Sequence, residues 1–138
     1  MTKIHRYIFQ DIYPFAGKFR TENIKKGSTK FCKSQFIKEN LEVIFDELKR
    51  DRFLKELNVE EFSQKVAYYL SEINMIHPFR EGNGRTIREF IRQLALQCGH
   101  IINWSLIGKE TLLEATIRSV DKNYDPLAEC IYQSIESK

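Results

Sequence analysis

Residues 59–97 read VEEFSQKVAYYLSEINMIHPFREGNGRTIREFIRQLALQ, and this stretch decides the fold. Its first half has apolar residues at helical spacing: Val59, Phe62, Val66, Leu70, Ile73 and Ile76. Tyr68, Tyr69 and Met75 make the same segment apolar on more than one face, which is typical of a central, buried helix. The helical spacing returns from about Asn83 and ends before Gly99. The sequence therefore predicts two buried helices joined by a short loop.

The rest of the chain predicts further helices and one small hairpin. Apolar spacing indicates a helix over residues 3–15, one beginning near Phe36, and shorter ones around residues 112–117 and 127–135. Residues 17–34 interrupt this pattern with two glycines and several small polar residues. They include two β-compatible pieces, residues 18–20 and 30–32. We expect an all-α helical bundle with a small β-hairpin flap over about residues 17–34.

Length and composition set the protein class. The 138 residues are 42% hydrophobic and 30% charged, with six Gly and three Pro, which fits one folded domain and excludes disorder and collagen-like repeats. The net charge of +3 does not indicate nucleic-acid binding. The three cysteines lack CxxC spacing, so we expect reduced thiols in a cytosolic protein. We expect no membrane span, because no apolar run is long enough.

Residues 77–88, HPFREGNGRTIR, connect the two buried helices and carry the chemistry. Pro78 disfavours helical conformation at the preceding residue, so the first helix should end at His77. Gly82 and Gly84 flank Asn83 where the next helix begins. Glycines allow close approach of a ligand, and free N–H groups at a helix start attract anions. The loop therefore predicts an anion site.

The charged residues of this segment extend the prediction to phosphate transfer. Arg85 and Arg88 share one helix face and can reach one anion, while Glu81 could pair with an arginine or hold Mg²⁺. His77 could act as general base, and Phe79 could anchor the loop in the core. Each feature has a structural alternative: a helix-terminal histidine, a simple Gly-Asn-Gly turn, or solvated arginines. Their combination favours the functional interpretation.

HPFREGNGRTIR resembles the signature of the Fic (filamentation induced by cAMP) family, His-x-Phe-x-Asp/Glu-Gly-Asn-Gly-Arg-x-x-Arg, with every defining position matched. The resemblance covers nearly all of residues 1–138. IHRYIFQDIYPFAGKFR is similar to the family's opening helix and the Ala-Gly-x-x-Arg segment before the flap, and ENIKKG and KFC are similar to the flap itself. The resemblance implies a mostly helical fold and transfer of AMP from Mg·ATP to a hydroxyl side chain of a target protein, with release of pyrophosphate.

The resemblance also implies roles for individual residues. His77 would deprotonate the target hydroxyl, and Glu81 would hold the Mg²⁺ that bridges the α- and β-phosphates. Arg85 would contact the phosphates and Arg88 would hold the γ-phosphate. The anion hole would consist of Gly82, Asn83 and Gly84, with Asn83 near the α-phosphate. The flap segment that covers the nucleotide and docks the target chain as an added strand would be Ile24, Lys25, Lys26 and Gly27.

Gly84 favours AMP transfer, because the relatives that phosphorylate their targets have a lysine at this position. A kinase, a UMP transferase using UTP, and a silent interaction module remain alternatives. The base pocket should lie within residues 110–125. The four lysines Lys25, Lys26, Lys30 and Lys33 could dock an acidic target, but we favour a solvated hairpin protected from edge aggregation. We expect Trp104, Tyr68 and Tyr69 in the core.

Many Fic proteins are silenced by a helix with Ser/Thr-x-x-x-Glu-Gly/Asn, whose glutamate pairs with the second arginine of the signature. The chain offers no match, because Gln35 precedes Glu39-Asn40 and His77 precedes Glu81-Gly82 at the required spacing. A separate antitoxin, or a longer natural chain, would then supply the glutamate. The flap and INWSLI are most similar to bacterial toxins of this kind, which implies a type II topoisomerase (gyrase or topoisomerase IV) as target. The location would be the bacterial cytoplasm, or another cell after delivery.

Overall fold

The computed structural model describes residues 1–27 and 29–136. Its described part contains six α-helices and one antiparallel hairpin, in which Lys25 pairs with Lys30 and Lys26 with Thr29. The elements are α1 (Thr2–Phe9), β1 (Lys25–Lys26), β2 (Thr29–Lys30), α2 (Ile37–Arg50), α3 (Val59–Ile76), α4 (Asn83–Gln97), α5 (Lys109–Ser119) and α6 (Asp125–Ser134). The all-α class with a small hairpin is confirmed. None of the described helices has the length and apolar character that crossing a membrane requires.

Helix α3 lies at the centre of the bundle and packs against α2, α4 and α6. Phe62, Val66 and Ile73 on this helix are completely buried, as the apolar spacing predicts. Asn58 caps the start of the helix, since its side chain accepts a hydrogen bond from the Glu61 N–H. At the other end His77 adopts a left-handed conformation with φ of 49°, which stops the helix before Pro78. Both predicted ends of α3 are confirmed.

Helix α1 is shorter than the predicted helix over residues 3–15. It ends at Phe9, whose carbonyl accepts hydrogen bonds from the N–H groups of both Ile12 and Tyr13. Pro14 disfavours helical conformation at Tyr13, so the helix does not resume. Phe15 instead stacks on Tyr13 with ring centroids 4.8 Å apart. The apolar spacing that continues to Phe15 reflects this aromatic contact and not a further helical turn.

The strands of the flap are also shorter, and the first is displaced from the predicted residues 18–20. Arg20, at the end of this piece, instead contacts the loop between α3 and α4, where its N–H donates to the Pro78 carbonyl at 2.9 Å. The Cys32 N–H donates to the Met75 carbonyl at 3.0 Å, near the end of α3. Arg20 and Cys32 thus bond to the loop and to α3, and the hairpin forms from the residues between them.

Three aromatic residues expected in the core differ in burial. Tyr69 is completely buried, and Tyr68 is half-buried with its hydroxyl donating to Glu47. Trp104 packs against the core but is only partly buried, and its indole N–H donates to the Arg88 carbonyl at 3.1 Å. The three cysteines are free thiols, and only Cys130 is buried.

Candidate active site

The loop between α3 and α4 is fixed by Phe79 and Asn83. Phe79 is completely buried, and its ring stacks on the His5 ring with centroids 3.9 Å apart. The Asn83 side chain accepts a hydrogen bond from the Phe79 N–H at 2.8 Å and donates one to the Phe79 carbonyl at 2.7 Å. Both ends of this amide bond to Phe79, so the side chain fixes the loop; its second amide N–H and the backbone N–H remain as donors for a ligand.

Gly82 gives α4 a start that a residue with a Cβ would fit poorly. Its φ of 80° is left-handed, which costs a residue with a Cβ about 1–2 kcal/mol. A Cβ at this position would also lie 2.3 Å from Cε2 of Phe9 on α1. The glycine therefore lets the loop turn sharply against the first helix, which places the opening turn of α4 at the surface of the site.

His5 on α1 supports the loop, a role that its sequence context does not predict. It is completely buried; its Nδ1 accepts the Gly17 N–H at 2.9 Å, so Nε2 is the protonated nitrogen that donates to the Glu81 carbonyl at 2.8 Å. Burial lowers the pKa of His5, which keeps it in this neutral form. The only signal in the sequence is a histidine on the apolar face of α1.

His77 is 6% exposed at the end of α3. Its ring stacks on Phe31 of the flap with centroids 4.0 Å apart, and Nδ1 has no hydrogen-bond partner in the part of the chain that the structure describes. Burial lowers the pKa of His77 to about 4, and the positive charges of Lys26 and Arg20 act in the same direction. The imidazole is therefore neutral at physiological pH and able to accept a proton.

Arg20 joins the flap to the end of α3, a role that the sequence analysis did not assign. The side chain is 3% exposed. Its guanidinium donates to the carbonyls of His77 at 2.7 Å, Ile76 at 3.0 Å and Glu22 at 2.7 Å, and also to that of Cys32. These acceptors belong to the C-terminus of α3 and to both sides of the flap. One buried cation thus holds the flap against His77.

The charged residues of α4 and its loop surround an open surface. Arg85 is exposed and lies over the Phe9 ring at 5.7 Å, whereas Arg88 is half-buried. Burial and the neighbouring charge of Arg85 both lower the pKa of Arg88. Neither arginine forms an ion pair with any residue that the structure describes. Glu81 is exposed and accepts a hydrogen bond from the Tyr13 hydroxyl at 3.0 Å. Of the two roles considered for it, an ion pair with an arginine is not formed among the described residues.

Two cavities adjoin Arg88. The larger, about 700 Å³, lies between α3, α4 and α5; residues that line it include Asn74, Gly84, Trp104, Leu112, Leu113 and Thr116. Three of these fall within residues 110–125, where the sequence analysis placed a base pocket. The smaller, about 500 Å³, is a groove between α1 and α4 that Tyr7, Arg85 and Trp104 help to line. Trp104 and Arg88 line both cavities.

The flap residues Lys25 and Lys26 are exposed, and Ile24 is half-buried. The Ile24 carbonyl accepts the Phe31 N–H at 3.2 Å, which extends the hairpin contact towards His77. The hairpin therefore stands beside the imidazole, with both residues of β1 exposed to solvent.

Residues 1–95 match the Fic/DOC family. The chain belongs to this family. The matched residues include α1, the flap, α2, α3, the whole loop and all of α4 except its last two residues. Residues 96–138, which supply α5 and much of the larger cavity, lie beyond the match.

This Fic chain is similar to parts of longer proteins. It is 41% identical over 135 residues to the protein adenylyltransferase VbhT of Bartonella schoenbuchensis, an alignment that covers 98% of this chain and 28% of VbhT. The chain therefore spans about a quarter of that relative. The BepC effector of Bartonella tribocorum with bound AMPPNP has the same fold, with a TM-score of 0.92 at 24% identity over 99% of this chain and 73% of that chain.

A second solved structure is the N-terminal Fic domain of a VirB-translocated effector from Bartonella quintana with bound ADP. Its TM-score is 0.92 and its identity 26%, over 98% of this chain and 71% of that chain. The helical bundle with its flap is therefore the common Fic fold.

Proposed function

We propose that this Fic chain is a protein adenylyltransferase that transfers AMP from Mg·ATP to a hydroxyl side chain of a target protein and releases pyrophosphate. The observation that carries the proposal is the position of a neutral, buried His77 between the flap and a cationic helix start. The name of VbhT as a protein adenylyltransferase supports the same activity.

His77 acts as general base in this reaction. Its neutral imidazole takes the proton from the target hydroxyl, whose oxygen attacks the α-phosphorus of ATP. The bond from that phosphorus to the oxygen bridging it to the β-phosphate breaks, and pyrophosphate leaves with the electron pair. The stack on Phe31 and the hydrogen bond from Arg20 to the His77 carbonyl hold the ring in place for this step.

The start of α4 binds the phosphates. The backbone N–H groups of Gly82, Asn83 and Gly84 form the anion hole, and the helix dipole favours negative charge there. Arg85 and Arg88 supply two cations that no carboxylate of the described residues neutralises, with Arg88 on the γ-phosphate. Catalysis then rests on positioning and on stabilising the charge of the transition state.

The residues present fit a magnesium ion bound mainly through the substrate. The described residues contain no group of three or more His, Cys, Asp and Glu that could hold a metal alone. Mg²⁺ commonly uses one or two carboxylates together with phosphate oxygens, and Glu81 offers an exposed carboxylate oriented by Tyr13. When bound, the ion would neutralise charge on the α- and β-phosphates.

The 700 Å³ cavity accommodates the nucleoside, because it adjoins Gly84 and Arg88 and has an apolar lining from Ile87, Leu112 and Leu113. ATP is favoured over UTP by the AMPPNP of BepC and the ADP of the Bartonella quintana protein. A Cβ at position 84 would lie 3.1 Å from Nη1 of Arg88, so a longer side chain there would compete with the phosphates. Gly84 thus favours AMP transfer over phosphorylation.

Target and regulator complete the proposal. The flap residues Ile24 to Gly27 dock the target chain as an added strand beside His77. A separate antitoxin inserts a glutamate against Arg88, and the 500 Å³ groove between α1 and α4 leads to that arginine. The similarity of the flap and INWSLI to toxins regulated in this way supports a toxin–antitoxin pair with a type II topoisomerase as target.

Labelled ATP tests the activity. The chain is incubated with bacterial lysate and ATP labelled at the α- or the γ-phosphate, beside His77→Ala and the matched control His100→Ala. We expect protein label from the α position only, lost in His77→Ala and kept in His100→Ala. Label from γ alone would support a kinase, and label from neither would support the silent interaction module. Replacing ATP by α-labelled UTP separates AMP from UMP transfer.

A further inference from the structure

The flap carries an arrangement of charge that costs it stability. Lys25, Lys26, Lys30 and Lys33 are all exposed, and the hairpin register places Lys25 directly opposite Lys30. Like charges at directly opposed positions of an antiparallel pair repel each other and weaken it. With only two residues in each strand, the hairpin has few other contacts to offset this repulsion.

No acid within the described residues relieves the repulsion. Glu22, the acidic residue of the flap, pairs with Arg80 at 2.9 Å. None of the four lysines forms an ion pair in the described part of the chain. The flap therefore presents a cationic surface that remains free to bind an anion.

Protection from edge aggregation explains this charge poorly. Lysines do guard exposed strand edges, but a very short edge strand is itself a protective device. A two-residue strand leaves little edge to guard. Protection also does not require two lysines at opposed positions, where each weakens the hairpin. A binding role accounts for the opposed lysines better than protection of the edge does.

The cationic surface adjoins the reacting centre. Lys30 is followed in the chain by Phe31, whose ring stacks on His77 at 4.0 Å. The charge of Lys26 is felt at His77, where it lowers the pKa of the imidazole. An extended chain added along the hairpin would pass these lysines within a few residues of the hydroxyl that reaches His77, because a strand advances about 3.3 Å per residue.

We propose that the flap selects an extended target segment with acidic side chains next to the modified hydroxyl, through Lys25, Lys26 and Lys30. This inference rests on the proposed function for the identity of the partner as a target. It adds a charge rule to strand docking: target segments with acidic side chains bind more tightly than neutral ones. The backbone contacts alone do not provide this selectivity. The nucleotide phosphates have their own cations, Arg85 and Arg88, on α4.

Peptide binding without ATP tests this rule separately from catalysis. The probe is a short fluorescent peptide with a central tyrosine, in which glutamates flank the tyrosine and alternate with valines. The control peptide has glutamine in place of each glutamate. We expect fluorescence anisotropy to give about five- to twentyfold tighter binding of the glutamate peptide at low ionic strength, with the ratio narrowing as salt is added. Lys30→Gln should reduce the ratio about two- to fivefold and Lys30→Glu further.

Lys49→Gln on α2 is the matched control and should keep the wild-type ratio, because Lys49 is exposed but lies on another element. Equal affinity for both peptides, or no measurable binding of either, would overturn the charge rule. So would a single-stranded oligonucleotide that binds more tightly than the glutamate peptide and is released by Lys30→Gln. If label transfer from ATP fails while the peptide ratio holds, the proposed function falls and the charge rule stands.

Discussion

His77 owes its protonation state to its neighbours. Most of its ring is removed from water against Phe31, and two cations, Lys26 and Arg20, lie close enough to oppose protonation. An ordinary histidine, with a pKa near 6.5, would be half-protonated just below neutrality. A general base must be unprotonated to work, so the same surroundings that stabilise the neutral imidazole keep it available.

The first prediction is that kcat/KM falls on the acid side (the acid limb) of its pH profile only at unusually low pH. Since the pKa of His77 is lowered to about 4, the neutral form persists as pH falls and is lost only as pH passes through about 4. We expect kcat/KM for the free enzyme to fall in that range and not near 6.5. Lys26→Gln removes one opposing charge and should shift the limb upward. A limb near 6.5 in the wild type would contradict the burial of this ring.

The second prediction concerns Gly82. Gly82→Ala should lower the free energy of unfolding by about 2–4 kcal/mol, because it adds left-handed strain and an overlap with Phe9. Gly27→Ala is the control, since Gly27 also has positive φ but a Cβ there meets no atom within 4 Å. It should lower the free energy of unfolding by about 1 kcal/mol. Urea denaturation measures both, and equal losses would remove the role of Phe9.

At the scale of elements, the sequence could predict the features that local signals determine, but not those that depend on contacts distant in the chain. The bounds of α3 follow from apolar spacing, an asparagine cap and Pro78, which all act within a few residues. The early end of α1 also has a local cause, Pro14 next to Tyr13, which the apolar spacing overrode in the prediction. The position of the flap has no such local signal, because it depends on distant partners. His5 contacts Glu81 from 76 positions away and Arg20 contacts His77 from 57. Nothing near either residue in the sequence indicates such a partner.

The third prediction is that Arg20 controls the flap. Arg20→Met keeps much of the side-chain volume but leaves four carbonyls without their donor. A buried carbonyl left without its hydrogen-bond donor costs about 1–3 kcal/mol. We expect hydrogen exchange to accelerate across residues 20–33 and at the end of α3.

The control for Arg20→Met is Arg118→Met on α5, where the arginine makes an exposed pair with Glu114. It should leave exchange in the flap unchanged. Unaltered exchange in the flap of Arg20→Met would show that the hairpin is held without this guanidinium, and the stack of Phe31 on His77 would then carry the attachment alone.

Over the whole molecule, the site depends on elements that are far apart in the sequence. Helix α3 supplies His77, α4 the anion site, the flap the docking edge, and α5 one wall of the larger cavity. The signature loop could be predicted from the sequence because its twelve residues are contiguous. The cavity could not, because Leu70, Ile87 and Leu112 meet only in the folded chain. The net charge of +3 likewise gives no indication that Arg85 and Arg88 lie together beside this cavity.

The fourth prediction tests whether Arg88 binds the γ-phosphate of a nucleotide whose nucleoside lies in the larger cavity. If Arg88 holds the γ-phosphate, Arg88→Ala should weaken ATP binding about tenfold or more and change ADP binding little. Isothermal titration calorimetry measures both affinities. Arg92→Ala is the control on the same helix, because Arg92 is already paired with Glu89 at 2.6 Å. Equal losses for ATP and ADP would move Arg88 away from the γ-phosphate.

The identity of the nucleotide product tests AMP transfer most directly. Lysate proteins are incubated with the purified chain and ATP labelled at the α-phosphate. The released nucleotides and phosphates are separated, and the amount of each is compared with the amount of labelled protein. The account predicts pyrophosphate in equimolar amount with the label, and neither product from His77→Ala. Release of ADP in step with modification, or pyrophosphate release that persists in His77→Ala, would contradict it.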